Sequence, residues 1–109
     1  KALALKQEII KEYNEIFEIA DVILTPTAPT PAYKIGAQDN DPVKMYQADI
    51  CTVTVNIAKL PAISTTCGYT ADNGLPIGMS IIGKRFDEQT ILQVADAWEY
   101  GFVPLSPEL

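Results

Sequence analysis

The sequence predicts an α/β fold, a partial mixed β-sheet with flanking helices, and three observations predict it. An amphipathic helical pattern runs almost without a linker into the apolar run Val22–Leu24, the short join typical of α/β layers. Two proline-punctuated segments, Asp21–Gly36 (DVILTPTAPTPAYKIG) and Pro61–Gly83 (PAISTTCGYTADNGLPIGMSIIG), each read as a short buried strand followed by a rigid turn. A second amphipathic helix, with a capping residue at Asp87 and a stop at Gly101, closes the pattern.

The opening helix follows from spacing. Leu5, Ile9, Ile10, Tyr13, Ile16, Phe17 and Ala20 recur at helical intervals, while Lys6, Glu8, Lys11, Glu12, Glu15 and Glu18 fill the other side. Val22–Leu24 is the first strand. The TPTAPTP run after it is neither helix nor central strand, and should be an extended loop able to hold polar groups beside a pocket. The polar stretch Ala37–Asn40 is expected to be mobile.

Asp41-Pro42 starts a helix, because Asp caps free amides and Pro suits the first helical position. It should run to about Ile50, with Met45, Tyr46 and Ile50 on one face and Asp49 beside it. The run CTVTV, residues 51–55, alternates like a strand, but Asn56–Lys59 has helical propensity. Ala62–Cys67 is the second strand, Gly68–Pro76 a loop rich in turn formers, and Ile77–Gly83 a third strand antiparallel to the second. In the last helix Ile91, Val94, Ala95 and Trp98 form the buried stripe, Thr90 sits where a capping box would close, and Phe86 and Ile91 are placed for a hydrophobic staple. Residues 102–109, with Pro104 and Pro107, form an extended tail.

The 109 residues suit one domain. A chain of this size buries roughly two thirds of its unfolded surface, which allows a modest core. The net charge of −6, without a run of Lys or Arg, disfavours direct nucleic-acid binding. No apolar stretch is long enough for a membrane helix, and no secretory signal is visible. Histidine is absent, and Cys51 and Cys67 lack metal-ligand spacing, so no metal site is expected. Two unpatterned cysteines fit reduced thiols in the cytoplasm and read as small buried hydrophobes. The chain opens at Lys1-Ala2 inside a helical pattern, which reads as a piece of a longer protein, an incomplete single domain over residues 1–109.

No catalytic residue is assigned. Without histidine a Ser-His-Asp triad is excluded. Ser64, Ser80 and Ser106 stand outside any Gly-Ser-rich stretch, and Lys34 and Lys84 read as solvated loop lysines.

The proline-punctuated segments and the run Met45–Ser64 (MYQADICTVTVNIAKLPAIS) resemble the C-terminal part of amidase-signature enzymes, from about Ile16 to the end. The wording is most similar to the family's glutamine-hydrolysing subunits of tRNA-dependent amidotransferases, whose pattern MYxxDIxTxPxNLAGxPAIS it follows. Proline is usual where this chain has Thr54, and glycine where it has Lys59. The resemblance implies the C-terminal portion of an α/β/α fold, and a bent helical connection rather than a strand at residues 51–59. It implies that Asp49 contacts the α-ammonium of glutamine, a role that suits a carboxylate selecting free amino acids over simple amides. Tyr46, as core or pocket wall, and Thr27, as loop anchor or pocket residue, are further substrate-site candidates. By the same resemblance, the serine nucleophile, the cis-peptide serine and the relay lysine lie in an N-terminal part absent from this chain, so the chain alone should be inactive. The parent subunit would supply ammonia to partner subunits that amidate Glu-tRNA(Gln), with ATP and Mg²⁺ held by the partner and tRNA reached only through the complex. Two other readings stand beside it: another amidase-signature hydrolase acting on a simple amide, and a non-catalytic interaction module.

Overall fold

In the computed structural model, residues 1–37 and 41–102 are described. The elements run α1 (Ala2–Phe17), β1 (Val22–Pro26), α2 (Pro42–Ala48), α3 (Val53–Ile57), β2 (Ala62–Tyr69), β3 (Pro76–Gly83) and α4 (Glu88–Tyr100). The strands form a sheet of order β1-β3-β2, and both pairings are antiparallel. The α/β expectation and the β2–β3 pairing are borne out. Residues 38–40, for which mobility is expected, and the tail beyond Phe102 lie outside the described residues.

Strand lengths exceed those read from sequence because the ladders extend them. Pro26 pairs with Met79 at the end of β1, which is tolerated because β1 is an edge strand in this sheet. Residues Gly68 and Tyr69, expected in a loop, pair with Ile77 and Pro76 past a bulge between Thr66 and Gly68.

The core cluster sits on the face of the sheet toward α4, and Ile82, on the opposite face, is buried as well. Ile81 is fully buried against Ile91 and Ala95 of α4, with Val22, Ile63, Met79 and Val94 around them. Gly83 is required here: a Cβ would stand 2.6 Å from Ile91 Cγ2. Thr65, also buried, donates its hydroxyl to Glu99 Oε1 at 3.1 Å. Trp98 is half-exposed rather than buried; its indole N–H donates to the Thr66 carbonyl at 2.9 Å, and its ring stacks on Phe102.

The helix signals read from sequence hold at both caps. Asp41 Oδ1 accepts from the amides of Val43 and Lys44, and Asp87 accepts from the Thr90 amide and hydroxyl. The staple does not form. Phe86 has φ 67°, which turns it outward beneath the Arg85 guanidinium and leaves it 79% exposed, while Ile91 packs inward. In α2 the predicted apolar face is not buried either: Met45, Tyr46 and Ile50 are all exposed, and the helix ends at Ala48. The cysteines, expected to be buried, are each half-buried.

Residues 51–59 form the bent helical connection, not a strand. The helix α3 ends in a Schellman arrangement, in which the Leu60 amide donates to the Val55 carbonyl and the Lys59 amide to the Asn56 carbonyl. Its left-handed position is Lys59, with φ 56°, where glycine is the usual occupant of such a cap. Thr54 bonds Tyr13 of α1 through their hydroxyls at 2.9 Å. Nearby, Phe17 and Ala58 are buried.

Candidate functional site

The face of the sheet opposite α4 carries a cluster of hydroxyls. Along β3, Gly78, Ser80 and Ile82 point away from the core face that holds Met79 and Ile81. Ser64 lies opposite Ser80 in the β2 ladder. Immediately after β1, the Thr27 amide donates to the Gly78 carbonyl at 3.2 Å. Its Oγ1 then bonds Ser64 Oγ at 2.8 Å and Ser80 Oγ at 2.9 Å. Three hydroxyl hydrogens serve two bonds, so one remains to donate outward. Gly78 leaves the room for this, because a Cβ there would stand 3.0 Å from Thr27 Oγ1 and 3.2 Å from Ser64 Oγ. Thr25, opposite Ser80 on the β1 side, has a buried hydroxyl oxygen without a partner among the described residues.

Thr27 thus pins the proline-rich segment to the sheet just past the end of β1. From that anchor the segment borders two hollows. One, of about 430 Å³, runs along Thr27–Ala32 and Pro76–Gly78. The other, also about 430 Å³, separates Pro29 and Thr30 from Lys44, Gln47, Ala48 and Ile50 at the end of α2. A third, of about 290 Å³, lies between α3 and the sheet, where Cys51, Thr52 and Asn56 face Ser80 and Ile82.

Asp49 caps α2 between the second and third hollows in sequence, flanked by Ala48 and Ile50 on one side and by Cys51 and Thr52 on the other. Its backbone is pinned twice. The amide donates to the Tyr46 carbonyl at 3.2 Å, and the carbonyl accepts from the Thr52 amide and hydroxyl, both at 3.0 Å. The carboxylate itself is exposed and has no hydrogen-bond or ion-pair partner among the described residues. A helix C-terminus carries negative partial charge, so an aspartate there is locally unfavourable and the place favours a cation. Asn56, expected to satisfy backbone groups in the bend, donates its amide to the Thr52 carbonyl at 2.9 Å.

Of the candidates read from sequence, Asp49 and Thr27 lie on segments that face each other across a hollow. None of Asp49, Thr27 and Tyr46 is itself a lining residue of that hollow, and the Tyr46 side chain is 71% exposed. Ser64 and Ser80, passed over as strand residues, are the partners that fix Thr27. Among the described residues no group of three or more Cys, Asp or Glu side chains is placed to hold a metal ion, and no helix is long and apolar enough to cross a membrane.

The amidase family model matches residues 1–92. The A subunit of glutamyl-tRNA(Gln) amidotransferase from Brevibacillus brevis is 54% identical over 99% of this chain and 22% of its own length; that of Shouchella clausii is 50% identical over 91% and 20%. The chain therefore spans about a fifth of the length of the curated relatives it matches. Among solved structures, the A subunit of the Thermotoga maritima glutamyl-tRNA(Gln) amidotransferase superposes with a TM-score of 0.81 and 41% identity, covering 90% of this chain and 21% of that one. Kluyveromyces lactis allophanate hydrolase gives 0.67 and 33%, covering 85% and 15%. With most of its length matched by the family model, the chain belongs to the amidase family.

Proposed function

We propose that this chain is the C-terminal part of the glutamine-hydrolysing subunit of a glutamyl-tRNA(Gln) amidotransferase, and that it builds one wall of the glutamine pocket. The observation that carries this reading is the 54% identity, over nearly the whole chain, to a protein of that name. The parent subunit hydrolyses glutamine to glutamate and ammonia. Partner subunits use the ammonia to convert Glu-tRNA(Gln) to Gln-tRNA(Gln), hold ATP and Mg²⁺, and bring the tRNA, in the cytoplasm. The serine nucleophile and relay lysine belong to the remainder of the subunit, and the isolated chain turns over no glutamine.

Within the wall, Asp49 grips the α-ammonium of glutamine. Its exposed carboxylate on a doubly pinned backbone, at a helix end that favours cations, supports this role. A charge-assisted bond of this kind selects an amino acid over an amide with no ammonium, because the latter leaves the carboxylate unpaired. Thr27 acts from the facing segment as an anchor for the proline-rich loop, and Tyr46 serves only as outer wall.

Kinetics of the full-length subunit in its complex test the reading. Asp49→Ala should cost roughly a hundredfold in kcat/KM for glutamine, while ammonia added directly still supports tRNA amidation. Unchanged glutamine use in that variant rules out the assigned role. The likeness to allophanate hydrolase favours a second reading, hydrolysis of a simple amide without a tRNA partner. A full-length protein that cleaves simple amides but not glutamine would establish it.

A further inference from the structure

A hollow of about 310 Å³ lies where α1 meets the turn after α3 and the loop after β3. Lys6, Lys59 and Arg85 line it, with the amides of Gln7 and Asn14 beside them, and Ile10, Tyr13, Ala58 and Leu60 form a largely apolar wall. Three of the chain's eight Lys and Arg residues therefore meet at one place on a chain of net charge −6. No acidic side chain lines the hollow. Among the described residues none of the three cations is ion-paired; the ion pair there is Lys11 with Glu15. Lys6 is half-buried, and Lys59 and Arg85 are exposed. Lys59 sits in left-handed backbone, φ 56°, which is unfavourable for any residue with a Cβ. The Arg85 guanidinium is steadied 4.8 Å over the Phe86 ring.

We infer that this hollow is an oxyanion site that takes a phosphate group. Charge decides the class. A carboxylate would offset one of the three cations, whereas a phosphate monoester carries close to two negative charges and three acceptor oxygens. The guanidinium fork of Arg85 and the point charges of the two lysines suit such an ion. The amides of Gln7 and Asn14 add neutral donors. The volume lies near the lower bound, roughly 300 Å³, of ligand pockets, enough for a phosphate ester. None of the lining residues belongs to α2 or to the proline-rich segment, so the inference does not depend on the glutamine chemistry. The phosphate can belong to a small monoester or to the terminal phosphate of an RNA.

Titration of the full-length subunit distinguishes these sources. Inorganic phosphate and AMP are followed by phosphorus NMR at low ionic strength, and a tRNA transcript by filter binding in the same buffer. Saturable phosphate binding is expected, weakened roughly tenfold by Lys59→Gly and by Lys6→Gln. Lys59→Gly removes a cation at a backbone conformation that glycine adopts freely, so its thermal midpoint should not fall and loss of binding cannot be assigned to unfolding. AMP binding with tRNA indifferent identifies a small ester; tRNA binding that both variants weaken and phosphate competes away identifies RNA. No saturable binding of phosphate, AMP or tRNA by the unsubstituted protein overturns the inference, as does binding that neither variant changes.

Discussion

On the side of the sheet that meets α4, Ile81, Ile91 and Ala95 close into a core of at most 5% exposure. On the other side the same strands present Thr27, Ser64 and Ser80, bonded to one another and bordered by hollows. The alternation of a strand places both sets within a few residues, so Ile81 and Ser80 are chain neighbours with opposite work. The core face holds the piece together by excluding water. The hydroxyl face fixes one loop by direction rather than by area, and a surface organised in this way suits a pocket wall better than a packing interface.

Substitutions can break this contrast in graded steps. Ile81→Ala, at a site with no exposure, should destabilise the chain most, by about 3–4 kcal/mol, a large share of the stability of a domain this size. Urea denaturation of the full-length subunit reads it as a lower midpoint. Gly83→Ala comes next, at about 2 kcal/mol. The new methyl meets Ile91 Cγ2 at 2.6 Å and the Asp87 carbonyl oxygen at 3.3 Å, so the β3–α4 junction must shift, again seen as a fall in the denaturation midpoint. Thr27→Val, on the hydroxyl face, should cost only about 1 kcal/mol, yet it frees the anchored end of the proline-rich segment. Its mark is faster proteolysis after β1 and a raised KM for glutamine, both restored by Thr27→Ser. Equal protease resistance in the Val and Ser variants contradicts the anchoring role.

Local features were legible in the sequence because local physics decides them. Asp41-Pro42 and Asp87 announce helix starts through amides only two or three residues away. The antiparallel β2–β3 pair follows from two apolar runs around a short turn. The hydroxyl cluster was not legible, since Thr27 meets Ser64 and Ser80 across 37 and 53 residues and nothing in a lone Ser or Thr announces a distant partner. The staple failed for a related reason. Residue spacing places Phe86 and Ile91 correctly, but the positive φ at Phe86, and the cation above its ring, reverse the side chain. The exposed apolar residues of α2 also misled, because burial of Met45, Tyr46 and Ile50 is not achieved by these residues alone. The role proposed for Asp49 rests on the wording of its neighbours rather than on its spacing; the structure describes its pinned backbone and its place at a helix end.

The contrast between the faces comes down to whether Asp49 reads an ammonium. Asp49→Asn in the full-length protein, assayed with glutamine and with the same amide lacking the α-amino group, tests this most directly. The account predicts that kcat/KM for glutamine falls by roughly a hundredfold while the poor rate with the deaminated amide stays level or rises. An equal change for both substrates, or no change for either, contradicts it.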